Sequence, residues 1–409
     1  MRNLLYLVLG CLLLTACHVP RFFVRNFANI TDHKIFPATP IEAPSESFLF
    51  TEAAGTGIAP LTVTANEKTY PLSEYLDEQT RTTAFLVIRN DSILFENYYE
   101  GYAPYDISTF FSVSKSITSL LVGITVDDGL IESIDDPVTK YLSELKDADP
   151  LFAQQTIRHL LDMRSGFDYT ESYGSPFAEM ARLYYGTNQR KQLANLKFAH
   201  APGTVHRYQS ATTAMLGWIV EEVQGKDLGE LMQERVWQPM GMEYDATWSL
   251  DDGKHRSAKA YSGVNATARD LAKIGRLYLH GGTWDGKHIV SEEWVRQSTV
   301  ANFDNDYYQF QWYSAANYLR DSTGAVRIFP DSLAAAEAAA AAADRLTDYR
   351  IERRAAGYAL NVDTGEFYAQ GILGQFLYAD KKTNTILVRL GEKYDANYVG
   401  IFRNLLQQL

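Results

Sequence analysis

Cysteine is almost absent from this chain of 409 residues: Cys11 and Cys17 are the only two. A disulfide framework and a cysteine-based metal site are therefore excluded for residues 18–409. Basic residues are also in deficit, 38 Lys and Arg against 50 Asp and Glu, which works against binding of nucleic acid over a broad face. No later hydrophobic run approaches the roughly 20 residues that span a bilayer. With 46% hydrophobic residues, the chain belongs to the globular class.

Motifs of several common enzyme classes are missing as well. The eight histidines show no His-Glu-x-x-His spacing, and neither a Gly-x-Ser-x-Gly elbow nor a glycine-rich phosphate loop occurs. We therefore expect the protein to use no metal and no other cofactor. His159 and His206 are predicted to be structural.

The first residues resemble a bacterial lipoprotein signal. Arg2 precedes an apolar run, and small residues stand directly before Cys17 in the segment Leu14-Thr15-Ala16-Cys17. The resemblance implies cleavage before Cys17 and acylation there, which would anchor the protein to a membrane of the bacterial envelope. His18 resembles a signal for sorting to the periplasmic face of the outer membrane. An ordinary signal peptide with an incidental cysteine is the alternative.

Composition and hydrophobic periodicity predict the organisation of the rest. Residues 1–16 are the predicted signal peptide and 17–69 a tether and lead-in, because six of the thirteen prolines lie between 20 and 71. One folded domain is expected over 70–409. It carries an Ala-rich insertion at about 320–355, in which the stretch from Ser332 to Arg345 is predicted to be a surface helix.

The predicted domain begins and ends with strands. Two β-rich runs flank Asn90-Asp91-Ser92 and predict a hairpin, helical periodicity dominates from about 112 to 300, and strand character returns after Tyr308. We therefore expect an α/β (α+β) fold, in which an antiparallel sheet formed from both chain ends is flanked by helices, beside a mainly helical region.

The segment Ser112-Val113-Ser114-Lys115 opens a predicted helix that ends near Gly129. Ser112 and Lys115 are three residues apart and therefore share one face. A serine at a helix start lies beside free backbone N–H groups that can hold an oxyanion. A lysine base must be neutral, and only burial shifts its pKa far enough. A capping serine with a solvated lysine is the alternative, and Ser143 with Lys146 has the same spacing.

These residues resemble the first motif of the penicillin-recognising serine hydrolase superfamily, whose members include β-lactamases, D-alanyl-D-alanine carboxypeptidases, esterases and aminohexanoate-oligomer hydrolases. The likeness runs from about 70 to 409. It implies Ser112 as nucleophile and Lys115 as base. Tyr208-Gln209-Ser210 resembles the second motif, which implies that Tyr208 exchanges protons with Lys115 and that Ser210 contacts substrate.

The third family motif carries a lysine that binds the substrate carboxylate, and here Ala369-Gln370-Gly371 takes its place, as in the aminohexanoate-hydrolase branch. The resemblance implies substrate contacts from Gly371, Gly374 and Gln375. The N–H of Ile372 would complete the oxyanion hole with that of Ser112. A plain bulged strand is the alternative reading.

The missing lysine favours a small neutral ester or amide as substrate. An aromatic-rich stretch from Tyr169 to Tyr185, together with Tyr308, Phe310 and Trp312, is expected to supply an apolar pocket, or else core. Arg182 and Arg190 are candidate substitute cations. D-alanyl-D-alanine carboxypeptidase or β-lactamase activity is the enzymatic alternative, and a noncatalytic envelope-binding lipoprotein is the alternative of another class. The sequence does not indicate an oligomeric state.

Overall fold

The structure, a computed structural model, describes residues 18–25, 27–53, 60–65, 67–342 and 348–409. Cys11 and Cys17 lie outside these residues, so lipid attachment at Cys17 stays a prediction. Within the described ranges, no helix has the length and apolarity that a membrane crossing requires.

Strands are concentrated toward both ends of the described chain, with most helices between them. The strands, β1 to β17 in chain order, are Ala38–Ile41, Thr51–Glu52, Thr62–Ala65, Lys68–Pro71, Thr82–Arg89, Ser92–Tyr98, Ser108–Thr109, Ala246–Ser249, Val264–Ala266, Thr283–Trp284, Lys287–His288, Tyr308–Gln309, Trp312–Tyr318, Tyr349–Arg354, Gly357–Gly371, Gln375–Asp380 and Thr385–Gly391. The α-helices, α1 to α12, are His18–Arg25, Leu72–Gln79, Val113–Asp127, Ile157–Leu161, Glu179–Tyr185, Gln189–Ala194, Ser210–Gln224, Leu228–Met232, Ala268–Leu279, Glu292–Thr299, Ser332–Ala340 and Tyr398–Leu406.

The main sheet joins the two ends of the folded domain. Its strand order is β12-β13-β15-β16-β17-β5-β6-β2, with β14 also paired to β15, and only the short β2 runs parallel to its neighbour. The early strand β5 pairs with the late strand β17, with Val87 opposite Leu387. The predicted antiparallel sheet from both chain ends, flanked by helices, is therefore confirmed.

The hairpin between β5 and β6 turns at Asn90 and Asp91. Both residues have positive φ, 51° and 59°, the combination that matches the twist of a two-residue hairpin and that Asn and Asp tolerate best. The hairpin predicted at Asn90-Asp91-Ser92 is present.

Helices cover both faces of the main sheet. Successive side chains of a strand point to opposite faces, so one strand packs against helices on both sides. In β5, Phe85 and Val87 pack with α2 and α12, whereas Ala84, Leu86 and Ile88 join the larger core with α9. The helix α9 approaches closely at Gly275, where an added Cβ would lie 2.9 Å from Leu377. The main sheet thus supports the helical region through direct packing with α9.

The helical region holds a small sheet that the sequence did not predict. Its order is β1-β8-β9-β7, and its strands are four residues long or shorter. The segment expected to be a tether and lead-in contributes both β1, which pairs with β8, and α1. Strand β7 leads directly into Phe110 and Phe111, so this sheet fixes where α3 begins.

Within the predicted Ala-rich insertion, the described residues form the helix α11, Ser332–Ala340, and the strand β14. Asp331 caps the helix by accepting a hydrogen bond from the backbone N–H of Ala334. Ala335 and Ala339, one turn apart, are buried against Phe329 and Leu360, while most of the helix faces outward. The insertion is a surface element packed on the edge of the main sheet.

Candidate active site

Ser112 is the residue that precedes the first turn of α3. Phe111 before it has a left-handed φ of 49°, a conformation that costs energy in a non-glycine residue and turns the chain sharply into the helix. The Ser112 side chain makes no capping hydrogen bond to the helix, and the residue is only partly buried. Its hydroxyl is therefore available for other partners.

Lys115 lies one turn further along α3 and contacts Ser112 directly. Its Nζ is 2.9 Å from Ser112 Oγ and 3.1 Å from the carbonyl oxygen of Tyr261. The residue is 1% exposed, and this burial lowers the pKa of Lys115 to about 8, against the opposing charge of Glu171. The amine is thus placed to exchange a proton with Ser112.

Tyr208 lies on the loop before α7, beside the same two residues. Its ring centroid is 5.0 Å from Lys115 Nζ, and the ring of Tyr308 packs against it edge to face at 5.8 Å. Burial raises the pKa of Tyr208 well above that of a free phenol, and a hydrogen bond with Ser112 opposes the shift. The phenol therefore keeps its proton near neutral pH. Ser112, Lys115 and Tyr208 come together as the motifs predict.

The end of β15 approaches the start of α3 at Gly371. A Cβ at this position would lie 2.4 Å from the Phe110 carbonyl oxygen and 3.3 Å from the Ser112 nitrogen, so only glycine fits without displacement. Ile372 follows immediately and borders the same cavity as Ser112. The backbone of 371–372 thus lies beside the Ser112 amide.

Gly374 and Gln375, both expected to contact substrate, are not among the described residues that border the cavity. Gln375 is fully buried, and its amide group bonds with the backbone of Gly391 at 2.6 and 3.1 Å. Gly374 packs against the guanidinium of Arg389, which donates hydrogen bonds to the carbonyl oxygens of Leu373 and Gly374, both at 2.8 Å. These contacts hold the turn after β15 in place, and direct contact of the two residues with substrate stays a prediction.

Glu171 is a charged residue of the site that sequence reasoning missed. Its carboxylate accepts hydrogen bonds from the Ser210 N–H at 2.8 Å, the Ser210 hydroxyl at 2.6 Å and the Tyr173 hydroxyl at 2.7 Å. Ser210 borders the cavity, but its hydroxyl is already engaged in this way. Only the fold brings Glu171 to this position, because no local pattern links it to residues almost forty positions later.

A cavity of about 270 Å³ opens beside Ser112. Its walls are mainly aromatic and aliphatic, and no Lys or Arg is among the described residues that border it. From the predicted aromatic stretch, Tyr173, Tyr184 and Tyr185 border the cavity. Tyr169, Tyr308, Phe310 and Trp312 are buried in the core instead. The surface around Ser112 is therefore apolar.

The competing candidates from the sequence lie elsewhere. Ser143 and Lys146 are both exposed, in and after a short 3₁₀ helix. Arg190 pairs with Glu221 at 2.9 Å, and Arg182 is exposed beside a different pocket. None of these four side chains borders the cavity at Ser112.

One group of potential metal ligands occurs among the described residues: Asp251, Asp252 and His255. Their carboxylates accept hydrogen bonds from backbone N–H groups, including those of Gln189 and Ser257. His255 Nδ1 lies 2.8 Å from Asp252. These hydrogen bonds explain why the three side chains lie together: they hold the backbone of the loop in place. His159 likewise has a structural role, because its ring accepts the Thr156 N–H in the capping box of α4.

Comparison with known proteins shows which family the sequence matches. Residues 71–397 match the sequence model of the beta-lactamase family. A 6-aminohexanoate-dimer hydrolase of Paenarthrobacter ureafaciens is 33% identical over 264 residues, 59% of this chain and 66% of that protein. The chain thus matches slightly under two thirds of the length of this curated relative.

Solved structures show the same fold. A structure from Bacillus anthracis with the provisional name 6-aminohexanoate-dimer hydrolase superposes with a TM-score of 0.70 at 22% identity, over 93% of this chain and 92% of that one. A D-alanine carboxypeptidase from Burkholderia cenocepacia superposes with a TM-score of 0.53 at 17% identity, over 81% and 94%.

Proposed function

Because the chain belongs to the beta-lactamase family of serine hydrolases, we propose that it cleaves neutral ester or amide bonds through an acyl-enzyme on Ser112. The observation that carries the proposal is the 2.9 Å contact between Ser112 Oγ and the buried amine of Lys115. With a pKa of about 8, about one Lys115 in ten is neutral at pH 7, against about one in 2,500 for an unshifted lysine.

In the proposed acylation step, neutral Lys115 accepts the Ser112 proton while Oγ bonds to the substrate carbonyl carbon. The carbonyl oxygen becomes an oxyanion, held by the N–H groups of Ser112 and Ile372. The bond to the leaving group then breaks, and the leaving group takes a proton passed from Lys115 through Tyr208. Water attacks the acyl-enzyme with the same groups, which releases the acid and restores Ser112.

Turnover of a short neutral ester tests the nucleophile and the base. Ser112→Ala and Lys115→Ala should each lower kcat/KM by roughly 10³-fold or more, because members of one catalytic unit fail together. Ser143→Ala and Lys146→Ala are the matched controls and should retain activity. Sensitivity of the control pair instead would overturn the assignment, and activity in none of the proteins would favour a noncatalytic lipoprotein.

The substrate is proposed to be neutral because no Lys or Arg is among the described residues that border the cavity, and because Ala369 stands where the family motif has a lysine. A substrate carboxylate would be desolvated without a charge-assisted partner, at a cost of about 1.5 to 3 kcal/mol. A neutral ester should therefore be hydrolysed roughly 10-fold faster, in kcat/KM, than its matched carboxylate analogue. Equal rates, or rapid saturable acylation by penicillin, would support the carboxypeptidase or β-lactamase alternative.

The lipid anchor at Cys17 is part of the same proposal, with the envelope as location. Acyl chains bind a membrane by burial, so the mature protein should stay in the membrane fraction through a salt wash. Cys17→Ser should release the protein or stall its processing. A Cys17→Ser protein that is processed and anchored as before would contradict the anchor without touching the proposed chemistry.

A further inference from the structure

The helix α1, which directly follows Cys17, is packed onto the helix α5 beside the active site. Arg21 Nη1 donates a hydrogen bond to the Tyr185 carbonyl oxygen at 3.2 Å. The Phe22 ring meets the Tyr185 ring edge to face at 5.5 Å and is 6% exposed. This helix is therefore part of the catalytic domain surface rather than a free tether.

The same helix and the residues after it form one wall of the cavity. Phe22, Phe27 and Ala28 border the same cavity as Ser112 and Phe111. Phe27 is 59% exposed and its ring centroid is 5.9 Å from that of Phe22, so the wall runs from the buried interior to an open apolar mouth. Binding of an apolar ligand to this surface is favourable, because it removes apolar area of both the ligand and the wall from water.

The position of Tyr208 indicates which part of a substrate enters this cavity. Tyr208 is the group that passes a proton to the leaving group in the proposed function, and it is not among the residues that border the cavity. The leaving group therefore departs on the Tyr208 side. The portion of the substrate that remains bonded to Ser112 Oγ lies on the other side, against Phe22 and Phe27.

We propose that α1 and Phe27 form the acyl-binding wall of the enzyme and select substrates with an apolar acyl chain. The inference rests on the proposed acyl-enzyme at Ser112 and goes further by naming the substrate class and the residues that select it. The amino-terminal segment thereby couples two functions in a few residues, since the predicted anchor at Cys17 immediately precedes the wall.

Chain-length dependence of ester hydrolysis tests the wall. The full-length protein is assayed with 4-nitrophenyl esters from acetate to octanoate and with acetate esters of alcohols of the same lengths. For the wild type, kcat/KM should rise about fourfold per methylene along the acyl series until the cavity is filled, and should stay nearly flat along the alcohol series. A rise confined to the alcohol series would overturn the proposal.

Variants then assign the effect to the wall. Phe27→Ala, at an exposed position, should lower the hexanoate-to-acetate ratio of kcat/KM by about fivefold or more. Phe22→Ala should act in the same direction, with its fold checked by circular dichroism. Leu333→Ala is the control, because Leu333 is 68% exposed on the distant helix α11.

The outcomes separate this inference from the proposed function. An unchanged hexanoate-to-acetate ratio in both phenylalanine variants, with acetate hydrolysis still dependent on Ser112, would overturn the wall alone. Acetate hydrolysis that persists in Ser112→Ala would overturn the proposed function and the wall with it.

Discussion

The Lys115 amine belongs to a buried helix, and its hydrogen-bond partners are Ser112 Oγ and the Tyr261 carbonyl oxygen. Burial disfavours its charged form, which makes the amine a usable base at neutral pH. Glu171 acts in the opposite direction, since its negative charge favours the protonated amine. Reactivity at this residue therefore reflects a balance between burial and one nearby carboxylate.

The pH dependence of turnover should report that balance. For a neutral ester, kcat/KM should increase with pH to an inflection at about 8, because only neutral Lys115 accepts the Ser112 proton. Tyr208 remains protonated over this range, since its pKa is raised well above 10. Glu171→Gln removes the charge that raises the pKa of Lys115, so the inflection should move to lower pH.

The control for this shift is Glu132→Gln, since Glu132 is an exposed carboxylate paired with Lys140. Its pH profile should coincide with that of the wild type. An inflection that stays in place or moves upward in Glu171→Gln would show that Glu171 does not tune Lys115.

Burial of Lys115 should also lower the free energy of unfolding at neutral pH. Below pH 8 the folded protein must hold a charged Lys115 without water, whereas above about 10.5 the amine is neutral in both the folded and the unfolded chain. Lys115→Met should therefore raise the free energy of unfolding at pH 7 by about 1 to 3 kcal/mol, and by less at pH 10. Denaturant titrations at the two pH values measure the difference, and a gain that grows with pH would contradict it.

Residue patterns predicted part of this site and missed the rest. Ser112 and Lys115 are neighbours on one helix, so local spacing alone was enough to pair them. Tyr208 followed from a family motif. Glu171 and Arg389 were missed because each acts through backbone groups of distant segments, and no local signal marks such contacts.

At the scale of elements, the turn after β15 decides whether an oxyanion hole can form. Arg389 and Gln375 fix its backbone from behind, through the carbonyl oxygens of 373–374 and the backbone of Gly391. Leu373 itself takes a left-handed φ of 63°. Two strands, β16 and β17, thus hold the turn against the start of α3.

Gly371→Ala tests the close approach of the turn to α3. The added methyl would overlap the Phe110 carbonyl oxygen and push the Ile372 N–H away from the Ser112 side. Loss of one oxyanion donor costs about 10² to 10³ in kcat, so we expect a decrease in kcat of about 10²-fold, with KM changed less.

Gly253→Ala is the matched control, since a Cβ there meets no atom within 4 Å and its φ is not left-handed. It should leave kcat unchanged. Wild-type kcat in Gly371→Ala, with the fold intact by circular dichroism, would show that the turn makes no contribution to the chemistry.

Long periodic elements were predictable, and short ones were not. The runs that became α3, α7 and α9 show sustained helical spacing, and β5 and β17 are rich in β-branched residues. Strands β1, β8 and β9 have four residues or fewer, and β1 pairs with β8 about two hundred residues later in the chain. Tertiary packing rather than local preference determines such strands.

At the scale of the whole molecule, the site is assembled from three distant parts of the chain. Ser112 lies at the start of α3, and Tyr208 lies before α7 in the helical region. Ile372 directly follows β15 of the main sheet. The order of these parts, strands at both ends with helices between, was predictable from the sequence. The use of α1 as a wall was not, because proline-rich composition favours a tether over 17–69 and says nothing about where it packs.

We propose that the substrate acyl group is transferred to Ser112 Oγ. The most direct measurement is mass spectrometry of the folded protein after reaction with a fluorophosphonate, which attaches to an activated serine, followed by peptide mapping. We predict one adduct per chain on Ser112, with labelling that becomes faster from pH 6 to pH 9 as Lys115 loses its proton. A folded protein that remains unlabelled, or that carries its adduct at Ser143, would contradict it.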